Sequence, residues 1–351
     1  MGSAALPAQK GSTSVDRRVF MADGIGVAAG LSLPHPPGPA GPPGGIGAVG
    51  TTHLLALRAH LSSLFQLDNA FGGGDVRSLA VRHLRRVRRI INTGQYPDTI
   101  GRQLQLLAGE TAEHCGWLYY DADEQDNARR YWGEALTTAT MLRDTNLEIL
   151  VFSSMSLQAC HEGRARDGLE LARAAQERAT HLGSPVLQSL IAVREARALS
   201  LMANGTDAKR RLSAALQLVD RQDRGRPCPE WADFHGHAEL DYAHGLLYTD
   251  LGNHRAATRF LSAALAHQEA SYGRNRALYR ITLALALVNA GEVDEAAAHA
   301  VGSLEALEEV ESGRVMRRLT TVTKSLQAVD ARSARAAAEE LTEYRLAKEA
   351  A

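Results

Sequence analysis

From about Thr52 to Asn69 apolar residues return at the three-to-four-residue spacing of one helix face. A Phe71-Gly72-Gly73-Gly74 turn interrupts the pattern, and a partner stretch of the same kind runs to about Asn92. Two amphipathic helices joined by a short turn bury their apolar stripes against each other and against a further pair, so this opening predicts a helical hairpin that needs neighbours.

Neighbours follow. Gly116, Tyr119, Ala128, Trp132 and Ala135 form one set of small and bulky residues, and Gly245, Tyr248, Gly252, Ala257, Leu261 and Ala264 return at matching offsets. Weaker copies lie in Gly163 to Ala175, centred on Gly168, and in Ala196 to Ala215, centred on Ala208; another holds Ala284, Leu287, Gly291 and Ala296. Small residues on both helices with bulky ones between them are the tetratricopeptide pattern. Ala128, Gly168, Ala208, Ala257 and Ala296 stand 40, 40, 49 and 39 residues apart, longer than the roughly 34 of the standard unit. The expected fold is therefore all-α, a tetratricopeptide-like right-handed superhelix of about seven helical hairpins with a period near 40 residues. The longest step places an insertion near Arg221 to Asp233. Pro185 after Ser184 and Pro229 after Cys228 are expected at first helical positions, and Gly252 and Gly291 at helix ends. A final pair over roughly Ser312 to Gln327 and Ala331 to Lys348 is expected to cap the array.

Composition sharpens the division of the chain. Its 58 alanines and 5% aromatic content favour close helix packing over pleated sheet. Residues 1–50, with eleven glycines and seven prolines, read as a flexible tail, leaving 51–351 as the repeat domain. Within the tail, Asp16, Arg17, Arg18, Val19, Phe20 and Met21 look like a twin-arginine export signal, against which stand Asp23 in the apolar segment and the lack of a convincing cleavage site. The net charge of -1 gives no global attraction to nucleic acid or an anionic membrane. Cys115, Cys160 and Cys228 form neither a disulfide framework nor a paired metal motif, which favours a reducing, cytoplasmic setting over export. No apolar run is long enough to span a bilayer.

The segments Leu67-Asp68-Asn69-Ala70-Phe71-Gly72-Gly73-Gly74, Gly116-Trp117-Leu118-Tyr119-Tyr120-Asp121, Met155-Ser156-Leu157-Gln158-Ala159 and Pro229-Glu230-Trp231 occur in that order. Tyr272-Gly273-Arg274-Asn275-Arg276-Ala277 and Gly291-Glu292-Val293-Asp294-Glu295-Ala296 follow. Order and spacing together resemble the C-terminal region of actinobacterial helix-turn-helix transcriptional regulators of the XRE type, over about Thr52 to Arg345. In that family an Arg-Arg-x-Phe stretch lies in the linker behind the DNA-binding head, which supports reading Arg17 to Met21 as linker. The fifteen residues before Asp16 are too few for such a head. The resemblance thus implies a stand-alone sensor or partner module, or else a regulator whose true start lies upstream.

Candidate chemistry is sparse. Arg82, Arg85, Arg86 and Arg89 share a helix face that would suit an anion, an acidic partner segment or the tail of a second copy in a homodimer; the alternative is a solvated face in a protein with four lysines. His235, His237, Glu239, Asp241 and His244 are dense in metal-ligand types, but their spacing matches no metal motif, and Asp241 is expected to hydrogen-bond His244 structurally. Gly72-Gly73-Gly74 has neither a preceding strand nor a following Lys-Ser/Thr and reads as a turn. Cys115 and Cys160 read as buried thiols. No metal, cofactor or catalytic residue is assigned. By the tetratricopeptide convention, Glu113, Trp117, Tyr120, Arg197, Glu239, Tyr242 and Arg276 face the concave groove. The expected function is a non-enzymatic regulatory protein binding a peptide, small effector or protein partner there, with no direct nucleic-acid contact and no membrane association.

Overall fold

The computed structural model describes residues 48–221 and 229–350. Within them the chain is all-α, built as seven consecutive hairpins. The first pairs α1 (Thr51–Phe71) with α2 (Gly74–Thr93), and the second α3 (Asp98–Asp121) with α4 (Gln125–Leu142). Then come α5 (Thr145–His161) with α6 (Ala165–Leu182), and α7 (Pro185–Leu201) with α8 (Gly205–Asp220). The fifth joins α9 (His237–Asp250) to α10 (His254–His267), and the sixth α11 (Gly273–Ala290) to α12 (Val293–Val301), with a short α13 (Leu304–Leu307) behind it. α14 (Gly313–Gln327) and α15 (Arg332–Ala350) complete the array. The twin-arginine-like segment lies outside the described residues.

Each hairpin closes as the repeat pattern requires. A methyl group on Gly116 of α3 would lie 2.5 Å from the Trp132 ring of α4. That ring is fully buried, and its indole N–H donates to the Glu113 carbonyl at 3.2 Å. In the fifth hairpin a methyl group on Gly245 would meet Leu261 at 2.5 Å. Burying an aromatic or leucine side chain this completely contributes about 1.5–3 kcal/mol, so both of these hairpins have their own apolar anchor.

Local punctuation is largely where the sequence put it. The Ser184 hydroxyl accepts the Leu187 N–H ahead of Pro185, and Gly252 and Gly291 hold φ of +71° and +86° just beyond their helices. Pro229 is the exception. It precedes only a three-residue 3-10 turn, Glu230–Ala232, and α9 begins after Gly236. Residues 222–228 of the expected insertion lie outside the described residues; residues 229–236 form a short crossover whose Trp231 and Phe234 border a cavity of the array.

Candidate functional site

The array does not end in two free faces. Its sixth and seventh hairpins meet its first and second along a polar seam. The Glu311 N–H donates to the Phe71 carbonyl at 2.7 Å, satisfying a helix-end acceptor that α1 cannot satisfy itself. Gly273, at the start of α11, lies against the Ala70 carbonyl, and a methyl group on Gly313, at the start of α14, would come 2.6 Å from the Ala122 carbonyl. Helix beginnings thus abut helix ends, and only residues without a Cβ allow so close a main-chain approach.

Two ion pairs lock this arrangement. Arg274 bonds Asp68, both side chains being 4% exposed, and Arg314 donates from Nε and Nη2 to Asp121 Oδ1 at 3.2 and 3.1 Å. Arg317 adds a more exposed pair with Asp123. Asp68 and Asp121 sit in the last turns of α1 and α3, while Arg274 and Arg314 sit in the first turns of α11 and α14. Every one of these charges has the wrong sign for its own helix dipole and the right sign for the helix across the seam. Trp117 joins the cluster, donating its indole N–H to Asp68 Oδ2 at 3.0 Å beneath the guanidinium groups of Arg274 and Arg314. Burial pushes the Asp68 carboxyl upward while Arg274 opposes that shift.

Inside the seam lies a cavity of about 400 Å³. The first helix of every hairpin reaches its wall: α1 through Phe65 and Asp68, α3 through Glu113 and Trp117, α5 through Ser153 and Leu157, and α7 through Arg194. α9 contributes Tyr242, α11 Tyr279 and α14 Arg314. Trp231 and Glu230 of the crossover border it, and the Ser62 hydroxyl on α1 donates to Glu230 at 3.1 Å. Trp231 also borders a second cavity of about 540 Å³ between the crossover, α1 and α5.

The cavity's carboxylates are held by hydrogen bonds. Glu113 accepts from Ser154 at 2.8 Å and from the Trp132 indole at 3.2 Å; burial raises its pKa to about 7 against those bonds. Glu239 takes the Tyr279 hydroxyl and the Asn275 amide, and burial raises it too. Tyr242 stacks on Tyr279 with ring centres 4.3 Å apart, presenting a flat aromatic wall. These groups can orient a ligand's polar end. No nucleophile with an adjacent base and oxyanion donors is assembled among them.

Of the groove residues expected from sequence, Glu113, Trp117, Arg197, Glu239 and Tyr242 line the cavity. Tyr120 does not: it is buried behind the wall, its hydroxyl 3.1 Å from His161 Nδ1 and its ring beside Trp117 and Trp132. Arg276 is also a correction, because it turns back to the Gln268 carbonyl at 3.0 Å, and Arg274, one half-turn earlier, takes the inward place. Asp68, Arg194, Arg274, Arg314 and Trp231 were missed. A signal for two of them was present: Gly273-Arg274 and Gly313-Arg314 are identical dipeptides 40 residues apart, the repeat period itself.

The other candidates disperse. Arg82, Arg85, Arg86 and Arg89 are exposed along α2. His83, on the buried face of that helix, packs its ring 4.7 Å from that of His60, and burial lowers its pKa to about 3. His235 bonds Ser189 at 2.9 Å, Asp241 bonds His267 at 2.8 Å, and His244 bonds the Leu240 carbonyl at 2.9 Å, so the expected Asp241–His244 bond is replaced by two others. Among the described residues no three metal-ligand types converge. Cys115 is buried, and desolvation pushes its thiol up to about 12.

No family model matches the chain, and no curated protein matches it. Among solved structures it is similar to the crystal structure of BtubC (BKLC) from P. vanneervenii, at 19% identity and a TM-score of 0.44, covering 66% of this chain and 89% of that one.

Proposed function

We propose that this chain is a non-enzymatic regulatory protein of tetratricopeptide type that takes a small effector into its central cavity and passes the event to a transcriptional partner. The observation that carries this reading is the cavity wall, to which the first helix of every hairpin contributes. A ligand there would lie among the first helices of all seven hairpins and bias the packing of those it touches, which is what a sensor requires. The cavity's volume of about 400 Å³ lies within the size range of small-molecule sites, which favours a compact effector over an extended peptide. The resemblance of the ordered motifs to XRE-type regulators supplies the transcriptional part.

The test is a thermal-shift and tryptophan-fluorescence screen of metabolite extracts and pure small molecules on the full chain. Trp117 and Trp231 border the cavity, so occupancy is expected to raise Tm and change their emission together. Ligands that raise Tm equally after Trp231→Ala and Tyr242→Ala would place binding elsewhere and overturn the reading. Purified protein that shifted operator DNA unaided would overturn the partner model.

A further inference from the structure

The cavity has a polarity that narrows its ligand. Four arginines reach its wall. Arg197 is paired with Asp250, Arg274 with Asp68 and Arg314 with Asp121. Arg194, on α7, has no carboxylate within ion-pair distance among the described residues. Its Nε donates to Ser153 Oγ at 3.3 Å, while the carboxylate nearest in effect, Glu239, is engaged by Tyr279 and Asn275. The terminal nitrogens of its guanidinium make no hydrogen bond among the described residues, and burial disfavours its charge while Glu239 favours it through space. The same cavity wall carries the apolar side chains of Leu157, Leu190, Val193, Leu246 and Leu278, with Tyr242 as an aromatic face.

We propose that the cavity binds a compact organic acid, a carboxylate joined to an apolar or aromatic body, with the carboxylate on the Arg194 guanidinium and the body against the leucine and tyrosine wall. This rests on the cavity being the effector site. A guanidinium fork donates two parallel N–H···O bonds to a carboxylate, and an anion there gives direct partners to terminal nitrogens that Glu239 reaches only through space. The carboxylate can belong to a free acid or to the C-terminus of a very short apolar peptide, which are the same chemistry at this residue.

Isothermal titration of the full chain with octanoate and 4-phenylbutyrate, each beside its methyl ester and the amine of the same body, tests the assignment. The acids are expected to bind about ten-fold or more tightly than their esters. Arg194→Met is expected to abolish that preference and Arg194→Lys to retain part of it, with the circular-dichroism spectra of both unchanged. A free apolar tripeptide set against its C-terminal amide identifies the source: a preference for the free form that exceeds the simple acids points to a peptide terminus. Equal binding of acid and ester would overturn the carboxylate assignment while leaving the cavity as the effector site. Preference for the amine would also overturn it, in favour of Glu113 and Glu239. Failure of every body to bind would count against both the assignment and the site.

Discussion

Gly116 and Gly313 both stand where a Cβ would collide, but with different things. Gly116 makes room for the Trp132 ring on the very next helix, whereas Gly313 makes room for the Ala122 carbonyl nearly two hundred residues away in sequence. Hairpin interiors are apolar, locally connected and anchored by one bulky side chain. The seam is polar, long-range, and made of main-chain contact and buried ion pairs. The first kind of contact drives folding through area removed from water. Charged pairs of the second kind contribute little net stability but are costly to break on one side, so their effect is to specify which ends meet.

That difference can be broken most sharply at Arg274. Replacing it with Met strands Asp68 in a buried site and is expected to cost about 3–5 kcal/mol in urea denaturation, whereas the double variant Asp68→Asn, Arg274→Met should recover most of the loss. Hydrogen exchange ought to rise at the end of α1 and the start of α11 and stay unchanged in the α5–α6 hairpin. A seam held by apolar area would instead show no recovery in the double variant.

Smaller effects separate main-chain from side-chain crowding. Gly72 has a φ of +82°, and a methyl group there would sit 2.5 Å from the Glu311 carbonyl, so Gly72→Ala is expected to cost about 1–3 kcal/mol. Gly245→Ala meets only the Leu261 side chain, which can shift, and should fall at the low end of the same range. Thermal melts of the two in parallel rank the contacts. Below these, Asn253→Ala removes the side chain that accepts the Ala256 N–H at 3.2 Å, an exposed helix cap whose loss costs about 1 kcal/mol and should leave seam exchange untouched.

The last effect is a slope. The folded state holds the Glu113 proton up to about pH 7, above the ordinary carboxyl range. Between those values the folded state binds more protons than the unfolded one, so this residue's contribution falls as pH rises through the window. Glu113→Gln should therefore gain stability relative to the parent from about pH 4.5 to 7 and keep a constant difference above. His114 and His235, both lowered to about 3, act oppositely and lose stability as pH falls below their ordinary range. Denaturation midpoints across pH 4–8 would expose an error in either sign.

These contrasts explain what the sequence made visible. Gly116 with Trp132 and Gly245 with Leu261 are sixteen residues apart, within one hairpin, and their small-bulky alternation repeats, so periodicity alone finds them. Concave positions on first helices follow from the same period, which is why Glu113, Trp117, Glu239 and Tyr242 were legible. Arg274 and Arg314 show in sequence only as a Gly-Arg dipeptide repeated at 40 residues; their pairing with Asp68 and Asp121 carries no local pattern and depends on curvature accumulated over several repeats. Arg274 and not Arg276 faces inward because α11 begins at Gly273 against the Ala70 carbonyl, a long-range contact that spacing within one hairpin does not report.

Joining the ends also changes how the molecule counts. A linear stack of repeats tolerates the addition or removal of a unit, because each unit answers only to its neighbours, and it melts from its tips. Here one more hairpin would carry Gly273 and Gly313 past the carbonyls they fit, and one fewer would leave them short. The number of repeats is thereby fixed by geometry, much as staves fix the girth of a barrel, and the size of the cavity between them is inherited from that number.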